Sequence, residues 1–442
     1  MLQGVVGRAR ELESKAARRL LARSKNALTL FNPSTEDFAS VVKLPAGWDT
    51  VTTAEGAPAP VQRESDGVVA WVQVPGQQFV TLTRGAGRAR RVVSAPASGR
   101  HALVLENAQV RYEFDASLRL TRAFDKEVGM EVIPAGESGN RMELFDDHPH
   151  NYDAWDIDEY YAKQRLDEPR VERIGRVAGE VRSGLQATLR VGEASTIRQQ
   201  IWLGREGKRL DFVTEADWNE SHKLLRVAFP TAIRTDRASS EIQYGYVQRS
   251  TADNTKWEYA QFECVGHRYA DLSSRDYGAA LLNDSKYGYR VKEGTLELSL
   301  LRASTEPDPV ADIGVHLFTY SFLPHKGDLA GSDVRTHAAA INQGVEIFDG
   351  FAAAGAAMPV MVSGAGIELA VLKRAEKEDC LVVRVVETRG AAAHGELICA
   401  SPKAKIVPTD LMEWRDEARG KATGRVALDL QPFEIRTYKV RV

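Results

Sequence analysis

LQATLRVGE (185–193), IRQQIWLG (197–204) and RLDFVTEADW (209–218) decide the fold. Apolar residues recur at every second position, as in Leu185, Ala187, Leu189 and Val191, or Leu210, Phe212 and Ala216. Successive side chains of an extended strand point to opposite faces, so this period marks strands with one face in a core and one toward water. ALVLENAQVRYEFD (102–115) has the same texture, and similar runs separated by turns continue to about Gly327. Many such runs in series predict a large antiparallel sandwich.

Before this block, residues from Val5 to about Lys25 place Leu12, Ala16 and Leu20 at helical spacing with Arg and Lys on the other face. They predict one amphipathic helix. ALTLFN, SVVKLP, VVAWVQVP and FVTLTR, broken by Pro and Gly, then read as strands of a small β domain. After the block, DVRTHAAAINQGVEIFDGFAAAG (333–355) reads as a helical or irregular interlude. It leads into GIELAVLKRA, CLVVRVVETRG and ALDLQPFEIRTYKVRV, strands of a closing sandwich. The expected division is 1–28 (helix), 29–93 (small β domain), 94–345 (large sandwich) and 346–442 (small sandwich).

At 442 residues the chain exceeds what one core supports. With 43% hydrophobic and 27% charged residues it has a globular composition. A net charge of -3 argues against a nucleic-acid partner; the one basic run, RGAGRARR (84–91), reads as a solvated loop. No stretch approaches the ~18 apolar residues of a membrane helix, and the N-terminus lacks the apolar core of a secretory signal. Cys264, Cys380 and Cys399 lie in or beside apolar runs without zinc-site spacing and read as buried free thiols of a reducing, cytoplasmic compartment.

One segment departs from both periods: NRMELFDDHPHNYDAWDIDEYY (140–161). It concentrates Asp146, Asp147, Asp153, Asp156, Asp158 and Glu159 beside Tyr152, Trp155, Tyr160 and Tyr161. Carboxylates bind sugar hydroxyls and aromatic faces stack on pyranose C–H surfaces, although turn carboxylates on a β protein have the same composition. Asp153 and Asp156 are a conceivable glycosidase pair, which would need carboxyls about 5 Å apart for retention. His148 and His150 with Asp146 and Asp147 are a conceivable metal cluster. His222, His267 and His316 lie near Glu220, Glu263 and Asp312 and would suit proton transfer if any pair met in a cleft. Trp218, Trp257, Tyr244, Tyr246, Tyr287 and Tyr289 read as core or sheet-face packing groups rather than a sugar platform. NDSKYGY (283–289), with Tyr287, reads as a second rim loop.

The 140–161 segment resembles a signature of glycoside hydrolase family 38, the class II α-mannosidases, in its cytosolic and bacterial branch. In the family's order follow ADWNESHKLLRVAFP (216–230), EIQYGYVQRSTADNTKWEYAQFECVGHRYADLS (241–273), YGAALLNDSKYGY (277–289) and LSLLRASTEPDPVADIGVHLFTYSFLPHKG (298–327). FNPSTEDFASVVKLP (31–45), LAVLKRAEKEDCLVVRVVET (369–388) and PFEIRTYKV (432–440) extend the resemblance over nearly the whole chain. Asn219 stands where members often carry His.

The resemblance covers the family's C-terminal half. It implies a mostly β chain: a galactose-mutarotase-like supersandwich with smaller β-sandwich domains, and an N-terminal helix left from a three-helix bundle. Family members begin with a (β/α) barrel in which aspartates and histidines hold zinc and one aspartate is the nucleophile. No His-Asp dipeptide or His-x-Asp occurs among the nine histidines here, so those roles are carried over to no residue. The expectation is that zinc belongs to that barrel and that no catalytic or metal residue lies in this chain. The partners implied are an α-mannoside or mannose-containing oligosaccharide, an upstream barrel, and possibly a second copy of the chain. Arg141, Asp146, Asp153, Trp155, Asp156 and Tyr287 are the candidate substrate-cleft residues.

Overall fold

The computed structural model of the chain describes residues 2–89, 92, 95–96, 103–352, 357–418 and 420–441. Arg90 and Arg91 of the basic run, the expected boundary at 93–94, Ala102, and 353–356 at the end of the interlude lie outside them. The chain forms two compact units, Arg91–Asn342 and the combination of Met1–Arg90 with Gln343–Val442. The chain is mostly β, as expected, and its strands pair antiparallel.

In Arg91–Asn342, sheets of four, five and ten strands surround one apolar core. The three strands read first hold the middle of the largest sheet: Arg182–Val191 pairs with Ser195–Gly204, and that with Leu210–Trp218. Leu210–Trp218 alternates without a break, burying Leu210, Phe212, Ala216 and Trp218. The inward face of Gly314–Lys326 adds Phe318, Tyr320 and Phe322, and Tyr320 stacks on Phe212 at 4.8 Å between ring centres.

Polar side chains that interrupt this inner face are paired with one another. Gln199 donates to the Tyr320 hydroxyl at 2.9 Å and to Thr214 Oγ1 at 3.2 Å. Tyr320 donates to Asn140 Oδ1 at 2.6 Å, and Asn140 donates to the Leu118 carbonyl at 3.0 Å. A buried polar group without partners is costly, so this chain of bonds fixes the rotamers around Asn140, where the acidic aromatic segment begins.

The turn at 192–195 shows why Gly192 is there. Its φ is +59°, and a Cβ would run into the Glu220 carboxylate. Glu220 Oε1 accepts the backbone N–H groups of Glu193 (3.0 Å), Ala194 (2.8 Å) and Ser195 (3.1 Å).

The second unit holds the expected helix, Leu2–Leu20, and sheets of five, three and eight strands. The helix ends before Lys25 because Leu21–Ala22 turns into a strand paired with Phe351–Ala352. Leu12 and Leu20 remain exposed on it. The interlude is part helix, Val334–Asn342, which belongs to Arg91–Asn342, and part strand in this unit: Glu346–Asp349 pairs with Ala27–Phe31 of the N-terminal β segment. Gln77 joins the same segment to the eight-stranded sheet, exchanging two bonds with the backbone of Val362 (2.7 and 2.8 Å). Cys380 and Cys399 are buried free thiols as expected, whereas Cys264 is half-buried. No helix among the described residues is long and apolar enough to cross a membrane.

Candidate functional site

The acidic aromatic segment leaves the five-stranded sheet at the end of Arg141–Asp146, whose neighbour is Lys223–Pro230 with Arg141 opposite Ala228 and Asp146 opposite Lys223. One face of this strand sends Met142 and Leu144 into the main core. On the other, Phe145 packs with Leu224 and with Tyr161, which the 3-10 helix Glu159–Lys163 brings back over the sheet. Arg226 lies over the Tyr161 ring at 5.0 Å, and its guanidinium bonds Tyr161 Oη, Glu263, Glu297, Ser299 and the Phe262 carbonyl. The return of the segment is therefore anchored on a buried cation.

Its outward limb is fastened at further points. Lys223 Nζ donates to Asp146 Oδ1 at 2.7 Å, and this bond is the main reason that carboxyl is held below its usual range. Arg302 donates through Nε to Asp147 Oδ2 at 2.5 Å and through Nη2 to the Asp156 carbonyl. Asp153 Oδ2 accepts the backbone N–H groups of Thr305 at 2.6 Å and Glu306 at 3.1 Å. Asp158 Oδ2 accepts from His150 N, and the Tyr160 hydroxyl lies 2.6 Å from it. His148 stacks on His222 at 4.4 Å, and His222 in turn contacts Thr305 Oγ1 at 3.0 Å and Asp153 Oδ1 at 3.4 Å.

These contacts sort the candidate residues. Asp146 and Asp153 are fasteners. Burial acts to raise the Asp153 pKa, but the Thr305 and Glu306 N–H groups and nearby His222 outweigh it and leave it below the usual range. A general acid needs the opposite displacement, so Asp153 is poorly suited to the acid role of a glycosidase pair. Asp156 is exposed, and its Oδ1 accepts from Ile157 N. Trp155 is the outermost ring, 75% exposed, beside Tyr152 at 69%.

Arg141 is not brought to this loop. It sits five strand positions from Asp146, roughly 17 Å away, bonded to Glu143 at 2.6 Å and lining a separate polar cleft with Arg234, Arg290 and Glu293. Tyr287 projects from the 283–289 turn, edge-on to His267 at 5.8 Å. Of the expected packing aromatics, Trp218 and Tyr289 are in the core, but Tyr244 and Tyr287 are exposed and Trp257 stands exposed on the short helix Lys256–Tyr259. Asn219 donates to Asp217 Oδ1.

The histidine readings resolve similarly. Glu220 caps a turn, Glu263 pairs with Arg226, and the Asp312 carboxylate accepts from Arg302 N, so each neighbouring acid is engaged elsewhere. A buried histidine–carboxylate pair is one that sequence reading missed: His325 Nε2 lies 2.7 Å from Asp271 Oδ2, with both groups sealed inside the unit. Among the described residues no group of three or more His, Cys, Asp or Glu side chains is placed to hold a metal ion. The zinc implied by the resemblance therefore has no ligand set among them. Arg302, Thr305 and Arg226 were also missed; the one local signal was a lone Arg within the apolar run KLLRVAF (223–229).

Asp153 makes the loop sensitive to acid. Its depressed pKa means the bound carboxylate contributes stability above the ordinary Asp pKa of about 4, and that contribution is lost as pH falls through the lower folded value. Replacing Asp153 with alanine should raise hydrogen exchange at Thr305 and Glu306 at pH 7, to the pattern that the unaltered chain reaches only under acid. Unchanged exchange would show that the carboxylate does not hold the two segments together.

Comparison with known proteins agrees with this architecture. Residues 105–310 match the family description "Glycosyl hydrolases family 38 C-terminal domain", and residues 366–438 match "Glycosyl hydrolases family 38 C-terminal beta sandwich domain". The chain is 36% identical over 345 residues to alpha-mannosidase 2C1 of Homo sapiens, covering 75% of this chain and 33% of the human protein. It is 34% identical over 353 residues to alpha-mannosidase G of Dictyostelium discoideum, covering 76% and 32%. It thus spans about one third of the length of the curated relatives it matches. In fold it is similar to the crystal structure of an alpha-mannosidase from Enterococcus faecalis V583, with a TM-score of 0.71 at 15% identity, over 97% of this chain and 58% of that one. With two of the family's domain descriptions matched in order on a fold of the same kind, the chain belongs to glycosyl hydrolase family 38 and carries that family's C-terminal domains.

Proposed function

We propose that the chain serves an α-mannosidase that hydrolyses terminal α-mannosides, supplying its C-terminal, carbohydrate-contacting portion while a catalytic barrel in the same or another chain supplies the nucleophile and zinc. The observation that carries this reading is the pair of family 38 matches at 105–310 and 366–438, in a chain whose relatives are named α-mannosidases. The loop at 146–158 faces the substrate cleft in this reading; its exposed rings and the Asp156 carboxylate support that placement. The free thiols support a cytoplasmic setting. The exposed stripe of the N-terminal helix supports contact with the barrel portion or a second copy.

Alone, the chain should release no aryl group from an aryl α-mannoside in the presence of zinc. Zinc-dependent release by the purified chain would overturn the division of labour.

A further inference from the structure

We infer that Tyr152 and Trp155 form a two-ring platform for one pyranose of the substrate, and that Arg302 is the positioning residue that holds it. The inference rests on the α-mannoside reading above and goes beyond it by naming the stacking element and its support.

The two rings are 6.4 Å apart, tilted by 43°, and mostly in water. Large aromatics displayed in this way bury little in the fold, and exposed rings beside polar groups are the usual means of meeting a ligand with both apolar and polar surface. A pyranose has one face of C–H groups and a rim of hydroxyls. The adjacent Asp156 carboxylate offers an acceptor to such a rim, since its Oδ1 engages only the neighbouring backbone N–H of Ile157.

The loop is built to hold the rings still. Tyr152 has φ +56°, a conformation that side-chain-bearing residues adopt at a cost, and its carbonyl accepts from both Trp155 N (2.7 Å) and Asp156 N (2.9 Å). That tight turn places the rings side by side. Arg302 then grips the loop on both sides of it, at the Asp147 carboxylate and the Asp156 carbonyl, and Asp153 ties the turn itself to Thr305 and Glu306. Arg302 ends the strand Thr295–Arg302, so the grip is transmitted from the sheet. A platform fixed before the sugar arrives loses less conformational freedom on binding.

The test is equilibrium binding of methyl α-D-mannopyranoside and an α-linked mannobiose to the full chain, followed by saturation-transfer NMR. Trp155→Ala and Tyr152→Ala should each raise Kd by roughly three- to tenfold, and Trp155→Phe, which keeps a ring, should recover most of the loss. Arg302→Met should weaken binding without touching the sugar. Its effect should largely vanish in the Trp155→Ala background, whereas general loosening of the unit would add to that of the ring. Mannoside binding unchanged by both ring variants would overturn the platform and leave the mannosidase reading standing. No binding by the unaltered chain would also overturn the platform, and the mannosidase reading is then decided by aryl α-mannoside hydrolysis with the chain joined to a catalytic portion.

Discussion

Replacing Arg226 with methionine lowers the stability of the unit Arg91–Asn342 by about 3–5 kcal/mol, read as a fall in the urea midpoint. The side chain is 1% exposed, so its charge is tolerated only because its N–H groups are engaged. Nε donates to Ser299 Oγ at 3.1 Å; Nη1 donates to Tyr161 Oη and, at 3.3 Å, to Glu297 Oε2; Nη2 donates to the Phe262 carbonyl at 3.2 Å and Glu263 Oε2 at 2.8 Å. Methionine fills much of the volume but leaves these acceptors behind. Glu297 keeps Arg290 at 2.7 Å, so most of the cost falls on Glu263. Adding Glu263→Gln to Arg226→Met should therefore recover part of the loss, because the uncompensated charge is removed. Lysine is no substitute, since one ammonium does not span five acceptors. A loss below about 1 kcal/mol for Arg226→Met would mean the network is relaxed or wet rather than buried.

The second large effect is expected at Asp125, which is fully buried. Its Oδ2 accepts from Lys208 Nζ at 2.8 Å and from the Tyr277 hydroxyl at 2.9 Å, and its Oδ1 from Glu127 N at 3.0 Å. Asp125→Ala removes the two oxygens that serve these three donors and should cost about 3 kcal/mol, the lower end for a broken buried pair, because Lys208 retains Glu127 at 2.7 Å. The linkage runs in the alkaline direction. Burial acts to lower the Lys208 pKa, but hydrogen bonding to Asp125 and Glu127 outweighs it and leaves the pKa raised. Its stabilisation is present in full below the unfolded lysine value of about 10.4 and is lost as pH rises through the higher folded value. Asp125→Ala should flatten that alkaline loss. An alkaline limb of unchanged slope would assign it to other groups.

The strands were legible because burial on one face writes itself into every second residue, and Leu210–Trp218 obeys that rule without exception. The end of the first helix was not, since Leu21–Ala22 becomes a strand through a partner at Phe351–Ala352 that nothing local announces. The candidate loop divides in the same way. Its density of acids and rings was visible, and so was Trp155 as a candidate cleft ring, whereas nothing local told the exposed Tyr152 from the buried Tyr161. What each acid does was hidden, because Asp147 is answered by Arg302 across 155 positions of sequence and Asp153 by Thr305 across 152. Arg141 shows the converse: nearness in sequence placed it with the loop, whereas an extended strand carries its two ends to different sites.

The most direct measurement is zinc-dependent hydrolysis of an aryl α-mannoside by the catalytic portion of a family 38 relative, taken alone and joined to this chain. The account predicts little turnover from either part alone, substantial kcat/KM when they are joined, and a reduced value when the joined chain carries Trp155→Ala. Hydrolysis by the catalytic portion that the chain leaves unchanged would contradict it.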